Sequence, residues 1–144
     1  MKIELLDNEC LPKYSNTGDA CVDFIARTDV QWRNTDGLRT ALVPLGVKVA
    51  VPRGYGLFLF SRSGMGFNRQ ITLINSVGVI DSSYKDEIMC KLVWQGDDVY
   101  MRPEPIKKGD KVCQGCIIET PKMYFNVVDS IGKTKKAGFG SSGK

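Results

Sequence analysis

Residues 47–60 read VKVAVPRGYGLFLF, and this stretch decides the fold class. Val47, Val49 and Val51 alternate with Lys48 and Ala50, the period of a strand with one buried face, and Pro52 ends it. PRGYG then supplies turn chemistry, and Leu57 to Phe60 resumes as a short apolar run. The pattern continues outward. Ile71 to Ile74, Ile88 to Trp94 and Lys111 to Ile118 are β-forming runs, separated by RSGMG, DSSYKDE, QGDD and KKGD. No window of about a dozen residues keeps helical apolar spacing free of Gly or Pro, so helical signals are weak throughout. Many short strands at this spacing predict an all-β barrel or sandwich. Gln31 to Thr40 reads as a loop, and there is no internal repeat.

Composition narrows the class. A chain of 144 residues, 42% hydrophobic and 25% charged, is one globular domain able to bury a core without metal or disulfide staples. The net charge of +4 suits a polyanionic ligand but is too small to indicate nucleic-acid binding. No apolar run is long enough to span a membrane, and the acidic N-terminus is unlike a signal peptide, so a cytoplasmic protein is expected. Cys10, Cys21, Cys90, Cys113 and Cys116 are an odd number without a disulfide framework. The CxxC at Cys113 and Cys116 lies in a strand-like run, and a zinc site would need two more ligands with no histidine to supply one, so it reads as small buried side chains.

Residues 75–84, NSVGVIDSSY, carry the strongest candidate chemistry. An apolar run delivers Asp81 into a turn, with Asn75 before it and Tyr84 after it. Strand-to-turn junctions mount exposed groups on rigid supports, and a chain with no histidine needs another general base, for which a carboxylate is suited. A turn-capping aspartate is the plain alternative. Arg62-Ser63-Gly64 offers a guanidinium, a hydroxyl and an amide to an anion, or else a hairpin turn with a solvated arginine. Asp23 sits in apolar ACVDFIA, where pairing with an arginine competes with a functional role. After Asp129 the chain turns Gly-, Ser- and Lys-rich, with Phe139 between two glycines. GFGSSGK imitates a P-loop, but neither the required Ser or Thr nor a helix follows Lys144 in this chain.

In order, these segments resemble the five motifs of the trimeric dUTPases (deoxyuridine triphosphate nucleotidohydrolases). They are DACVDFIA (19–26), SRSGM (61–65), NSVGVIDSSY with KDEIM, GDKVCQ (109–114) and AGFGSSG near the C-terminus. The resemblance covers nearly the whole chain. It implies a distorted jelly-roll-like barrel of the β-clip type over residues 1–130, assembled as a homotrimer. It also implies a flexible C-terminal arm, residues 131–144, that closes over an active site shared between subunits. The implied reaction is hydrolysis of dUTP to dUMP and pyrophosphate by water attack on the α-phosphorus, with Mg2+ on the triphosphate. Asp81 is implied as the base that orients and deprotonates the water. Tyr84 packs under deoxyribose, while Asn75 with Gly78, Val79, Ile80 and Met89 pairs with uracil. Arg62, Ser63, Gly64 and Gln114 hold phosphates, Phe139 stacks on the base, and Gly140, Ser141 and Ser142 join from the arm. Asp23 acts on the metal indirectly, through water. No nucleic-acid or membrane partner is implied.

The chain departs from the family pattern at three places. Thr134, flanked by Lys133, Lys135 and Lys136, stands where the fifth motif usually has arginine. Asp86 occupies a position where glycine is common, so the hairpin after Tyr84 is expected to bend differently. Cys21-Val22 replaces the tyrosine usual before the first-motif aspartate. The alternatives are a dCTP deaminase-like enzyme of the same fold and a regulatory binding module built on it. The aspartate-tyrosine segment and the GFG tail favour the hydrolase.

Overall fold

The computed structural model describes residues 1–97 and 102–132. In chain order the elements are β1 (Lys2–Leu5), a 3-10 turn (Asn8–Cys10), β2 (Val22–Ile25), β3 (Arg33–Thr35), β4 (Leu38–Pro44), β5 (Val47–Ala50) and β6 (Tyr55–Phe60). Then follow α1 (Ser63–Arg69), β7 (Ile71–Leu73), β8 (Val77–Ile80), β9 (Met89–Trp94) and β10 (Lys111–Glu119). All strand pairs are antiparallel. They form a small β1-β5 sheet and two larger ones, β2-β10-β6-β8 and β3-β4-β9-β7.

The alternation that opens the sequence is realised directly. Val47, Val49 and Val51 are buried while Lys48 and Ala50 are only half-buried. Phe24, Leu57 and Leu59 from one large sheet meet Val43, Leu73 and Leu92 from the other, with Leu45, Ile88 and Ile106 filling the same core. Burying each such side chain contributes roughly 1.5–3 kcal/mol. Gly115 permits close approach at this interface, because a Cβ there would lie 2.9 Å from Leu59 Cδ2 and 2.9 Å from the Phe58 carbonyl oxygen. The all-β expectation is met, with one short helix added.

Two local expectations are corrected. RSGMG is not a turn: Ser63–Arg69 is helical, starting after extended Arg62 and ending at Gln70, whose φ of 55° is left-handed. The Gln70 N–H donates to the carbonyls of Met65 and Gly66, and buried Met65 anchors the helix. Its two glycines and single buried side chain remove the apolar periodicity that would have announced it. Gln31 to Thr40 is not a loop either, because β3 and the start of β4 form a hairpin across it. Its turn, Asp36-Gly37, has φ of 51° and 82°, the doubly positive geometry that Asp-Gly favours. Asn34 Oδ1 accepts the Gly37 N–H at 3.0 Å, and the Thr35 and buried Thr40 hydroxyls bond at 3.0 Å.

Candidate functional site

The site begins where the chain crosses between the two large sheets. β7 is an edge strand of one and β8 of the other, so residues 74–76 bridge two edges. The Ile74 N–H is tied to the Lys91 carbonyl at 3.0 Å, and the Ser76 N–H to the Leu73 carbonyl at 3.1 Å. Ser76 takes a left-handed φ of 62°, which reverses the chain, and Asn75 Nδ2 donates to the Val77 carbonyl at 3.2 Å. Between the edges lies a cavity of about 350 Å³ lined by Asn75, Gly78, Val79, Ile80 and Met89. Leu59 and Leu73 form its apolar floor, and Lys91 stands at its wall. Gly78 keeps the space open, since a Cβ there would come within 3.2 Å of Leu59 Cβ. As an edge strand, β8 leaves its outer backbone groups unpaired within the sheet, a row of donors and acceptors suited to a flat polar ligand.

Asp81 directly follows Ile80 and is exposed. Its carbonyl accepts the Tyr84 N–H at 3.1 Å, but its carboxylate has no ion pair or side-chain hydrogen bond among the described residues. The turn that carries it is held from below. Tyr84 Oη donates to the Glu87 carbonyl at 2.8 Å, while Glu87 pairs with Arg27 at 2.9 Å and accepts the Gly46 N–H at 2.8 Å. Ile88, fully buried, closes the segment through its N–H to Val47 and its carbonyl to Leu45. Tyr84 itself lies outside the cavity lining, with its ring partly exposed. Asp86 has no positive φ, so this turn makes no use of glycine's freedom and the expected difference in bend has no backbone cause there.

A second constellation forms around Asp23 on the outer face of β2. Asp23 Oδ1 accepts from Arg62 Nε at 2.7 Å, and Oδ2 meets Lys111 Nζ and Ser15 Oγ, each at 2.8 Å. Its side chain is only 12% exposed. Burial pushes the carboxyl upward, but the hydrogen bonds from Lys111, Ser15 and Arg62 outweigh it and hold Asp23 below the usual carboxylate range. Arg62 also donates through Nη1 to the Lys111 carbonyl at 3.2 Å, which leaves the rest of its fork available. Gln114 Nε2 donates to the Ser61 carbonyl at 3.0 Å, and Ser61 Oγ accepts the Leu73 N–H at 2.9 Å. Ser63 and Gly64 open α1, which has no side-chain cap.

The structure brings Asn75, Gly78, Val79, Ile80 and Met89 together, with Asp81 beside them. It gathers Arg62, Asp23 and Gln114 separately, and strand register sets the distance between the groups. Asp23, Gln114, Phe60 and Val77 form one row across β2, β10, β6 and β8, whereas Ile80 faces Leu57 and Leu57 faces Ile117. Asp81 therefore lies about 13 Å along the strand direction from the Asp23–Gln114 row. Phe139, Gly140, Ser141 and Ser142 lie outside the described residues, as does the expected arm from residue 133 onward. Sequence reasoning missed Lys111, Lys91 and Glu87. Lys111 left a signal as the residue next to GD in the fourth motif, and Glu87 lies within the KDEIM of the third; Lys91 left none. Among the described residues, no group of His, Cys, Asp or Glu forms a metal cage, and no helix is long and apolar enough to cross a membrane.

Comparison with known proteins agrees with this geometry. The dUTPase family profile matches residues 7–143. The deoxyuridine 5'-triphosphate nucleotidohydrolase of Finegoldia magna is 33% identical over 147 residues, covering 99% of each chain. A variant dUTPase of Staphylococcus phage 80alpha superposes with a TM-score of 0.81 at 20% identity, covering 98% of this chain and 97% of that one. Another variant of the 80alpha enzyme, solved with dUpNHpp, gives a TM-score of 0.80 at 20% identity over 99% and 97% of the two chains.

Proposed function

The chain belongs to the dUTPase family, and on that premise we propose that it hydrolyses dUTP to dUMP and pyrophosphate with Asp81 as general base. It is a dUTP diphosphatase by its family match and its near-full-length relative. The observation that carries the mechanism is the Asp81 carboxylate, unengaged among the described residues and next to a cavity already lined by Asn75, Gly78, Val79, Ile80 and Met89. Asp81 takes a proton from water as the oxygen attacks the α-phosphorus, and the bond to the bridging oxygen breaks to release pyrophosphate. A carboxylate with no competing partner is available for that proton.

The edge backbone of β8 and the Asn75 amide read uracil. Mismatched donors and acceptors of cytosine would each cost about 1–3 kcal/mol, and a narrow slot leaves no room for the methyl of thymine. Tyr84 packs against deoxyribose and refuses a 2′-hydroxyl. Arg62, with its remaining fork, joins Ser63, Gly64 and the second amide hydrogen of Gln114 on the phosphates. Phe139, Gly140, Ser141 and Ser142 close over base and phosphates from the 131–144 arm.

Mg2+ belongs on the triphosphate in this reading. The donor set fits that assignment, because the Asp23 carboxylate is engaged by three side chains and the chain's contribution is through water. When bound, the ion neutralises phosphate charge. Asp23 meanwhile fixes Arg62 in place.

The homotrimer is supported by the separation of the two constellations. A single chain holds Asp81 and Arg62 too far apart to grip adjacent phosphates, whereas a site shared between copies joins them. Exposed apolar side chains fit the same reading: Val79 is 53% exposed, and Tyr124, Val127 and Ile131 are each more than 90% exposed. Five free thiols suit a reducing cytoplasm.

The test is pyrophosphate release from dUTP, dCTP, dTTP and UTP, with ammonia measured in parallel. dUTP alone is expected to be turned over rapidly. Ammonia from dCTP would replace this reading with the deaminase, and binding of dUTP without turnover would favour the regulatory module.

A further inference from the structure

The sequence pairs Cys113 with Cys116 as CxxC, but strand geometry separates them. Cys113 is fully buried beside Cys90, in the core between the sheets. Side chains alternate along a strand, so Cys116, three residues on, faces the other side of β10 and is only half-buried. There it has a different neighbour. β10 runs antiparallel to β2 with Gln114 opposite Asp23 and Gly115 opposite Val22, where the ladder ends; one residue further on, in the bend before β2, the Cys21 thiol lies within side-chain hydrogen-bonding reach of Cys116. Cys21, Asp23, Gln114 and Cys116 thus occupy one outer patch, with Phe24 and Gly115 turned to the core behind them. The thiols sense each other: after burial, Cys116 is the largest influence raising the Cys21 thiol above its usual range.

Paired residues on antiparallel strands have Cα atoms about 4.5–5.5 Å apart, and Cys21 and Cys116 adjoin the Val22–Gly115 pair, a separation close to the roughly 4.4–6.8 Å that a disulfide spans. Both thiols are partly exposed, whereas Cys90 and Cys113 are sealed in the core. β2 is the outer strand of its sheet; β10 holds it along one edge, and on the other edge a single antiparallel bridge ties Asp23 to Lys13.

We propose that Cys21 and Cys116 form a reversible cross-strand disulfide on exposure to a low-molecular-weight disulfide, clamping β2 to β10 beside Asp23 and Gln114. The chemistry is two thiol–disulfide exchanges. One protein thiolate attacks the oxidant, forming a mixed disulfide and expelling one small thiol. The facing thiolate then attacks the protein sulfur of that adduct and expels the second. The two protein thiols are oxidised, the small disulfide is reduced to two thiols, and both thiol protons are accounted for on them. The link holds Asp23 in register and, through Asp23, the guanidinium of Arg62.

The experiment treats the full chain with oxidised glutathione, blocks remaining thiols, and maps the digest by mass spectrometry without reductant. Two of the five free thiols should disappear, a peptide joining Cys21 to Cys116 should appear, and dithiothreitol should reverse both. Cys21→Ser, checked for an unchanged melting curve, should abolish the linked peptide. A link through Cys113, a link between chains, a persistent glutathione adduct on Cys116 in the unsubstituted protein, or five unreacted thiols would each overturn the proposal.

Discussion

Asp81 and Asp23 are both aspartates set against strands, and they stand in opposite conditions. Asp23 is nearly enclosed and accepts from Arg62, Lys111 and Ser15, whereas Asp81 is exposed with its carboxylate unengaged among the described residues. The difference teaches how, under the proposed function, one residue type would take two tasks. A carboxylate saturated with donors is a poor proton acceptor but a firm positioning device. A carboxylate left unengaged among the described residues, on a turn held by Glu87 and Ile88, is open to a water or a substrate.

Three substitutions bear on this contrast. Asp81→Asn has the largest expected effect: kcat for dUTP falls about 10²–10⁴-fold, while nucleotide affinity and melting temperature stay close to the unsubstituted values. Steady-state pyrophosphate release with a parallel binding titration checks it, and near-normal turnover would remove Asp81 from the role of base. Asp23→Asn should act on stability instead, by about 1–3 kcal/mol near neutral pH, because it weakens an anchor shared by two cations.

The pH dependence gives that second variant a sharper signature. A carboxyl held below its usual range in the folded chain contributes stability above its unfolded pKa, and loses it as pH falls through the folded value. Melting temperatures measured downward from about pH 5 should therefore fall more steeply for the unsubstituted protein than for Asp23→Asn. Parallel slopes would mean that Asp23 is not specially stabilised. The smallest effect is expected at Asp86→Gly, within about 0.5 kcal/mol in denaturant titration, because the residue is exposed and needs no left-handed backbone.

Much of this arrangement was legible in the residues themselves. The valine alternation at 47–51 announced its strand, and Asn75, Gly78, Val79 and Ile80 with Met89 did come together around one cavity. Asp36-Gly37 was equally legible, as hairpin chemistry, but its polar flanks Arg33, Asn34 and Thr35 lack the apolar alternation that draws attention to strands. Ser63–Arg69 was hidden by its glycines, since a helix held by one buried methionine has no periodicity to read. The roles of Glu87 and Lys111 depend on partners distant in sequence, Gly46 with Arg27 and Asp23 with Ser15. Only folding brings such groups into contact. The CxxC was read as small buried side chains in a strand; Cys113 is buried, while strand spacing sends Cys116 to the opposite face, where it is only half-buried.

The row joining Asp23, Gln114, Phe60 and Val77, with Asp81 at the far end of β8, has a genetic consequence. If each working site under the proposed assembly draws its base and its arginine from different copies, a lesion at Asp81 and a lesion at Arg62 are not equivalent defects. Two silent alleles, one carrying each lesion, complement one another inside mixed oligomers and restore about a quarter of the sites when the copies mix at random.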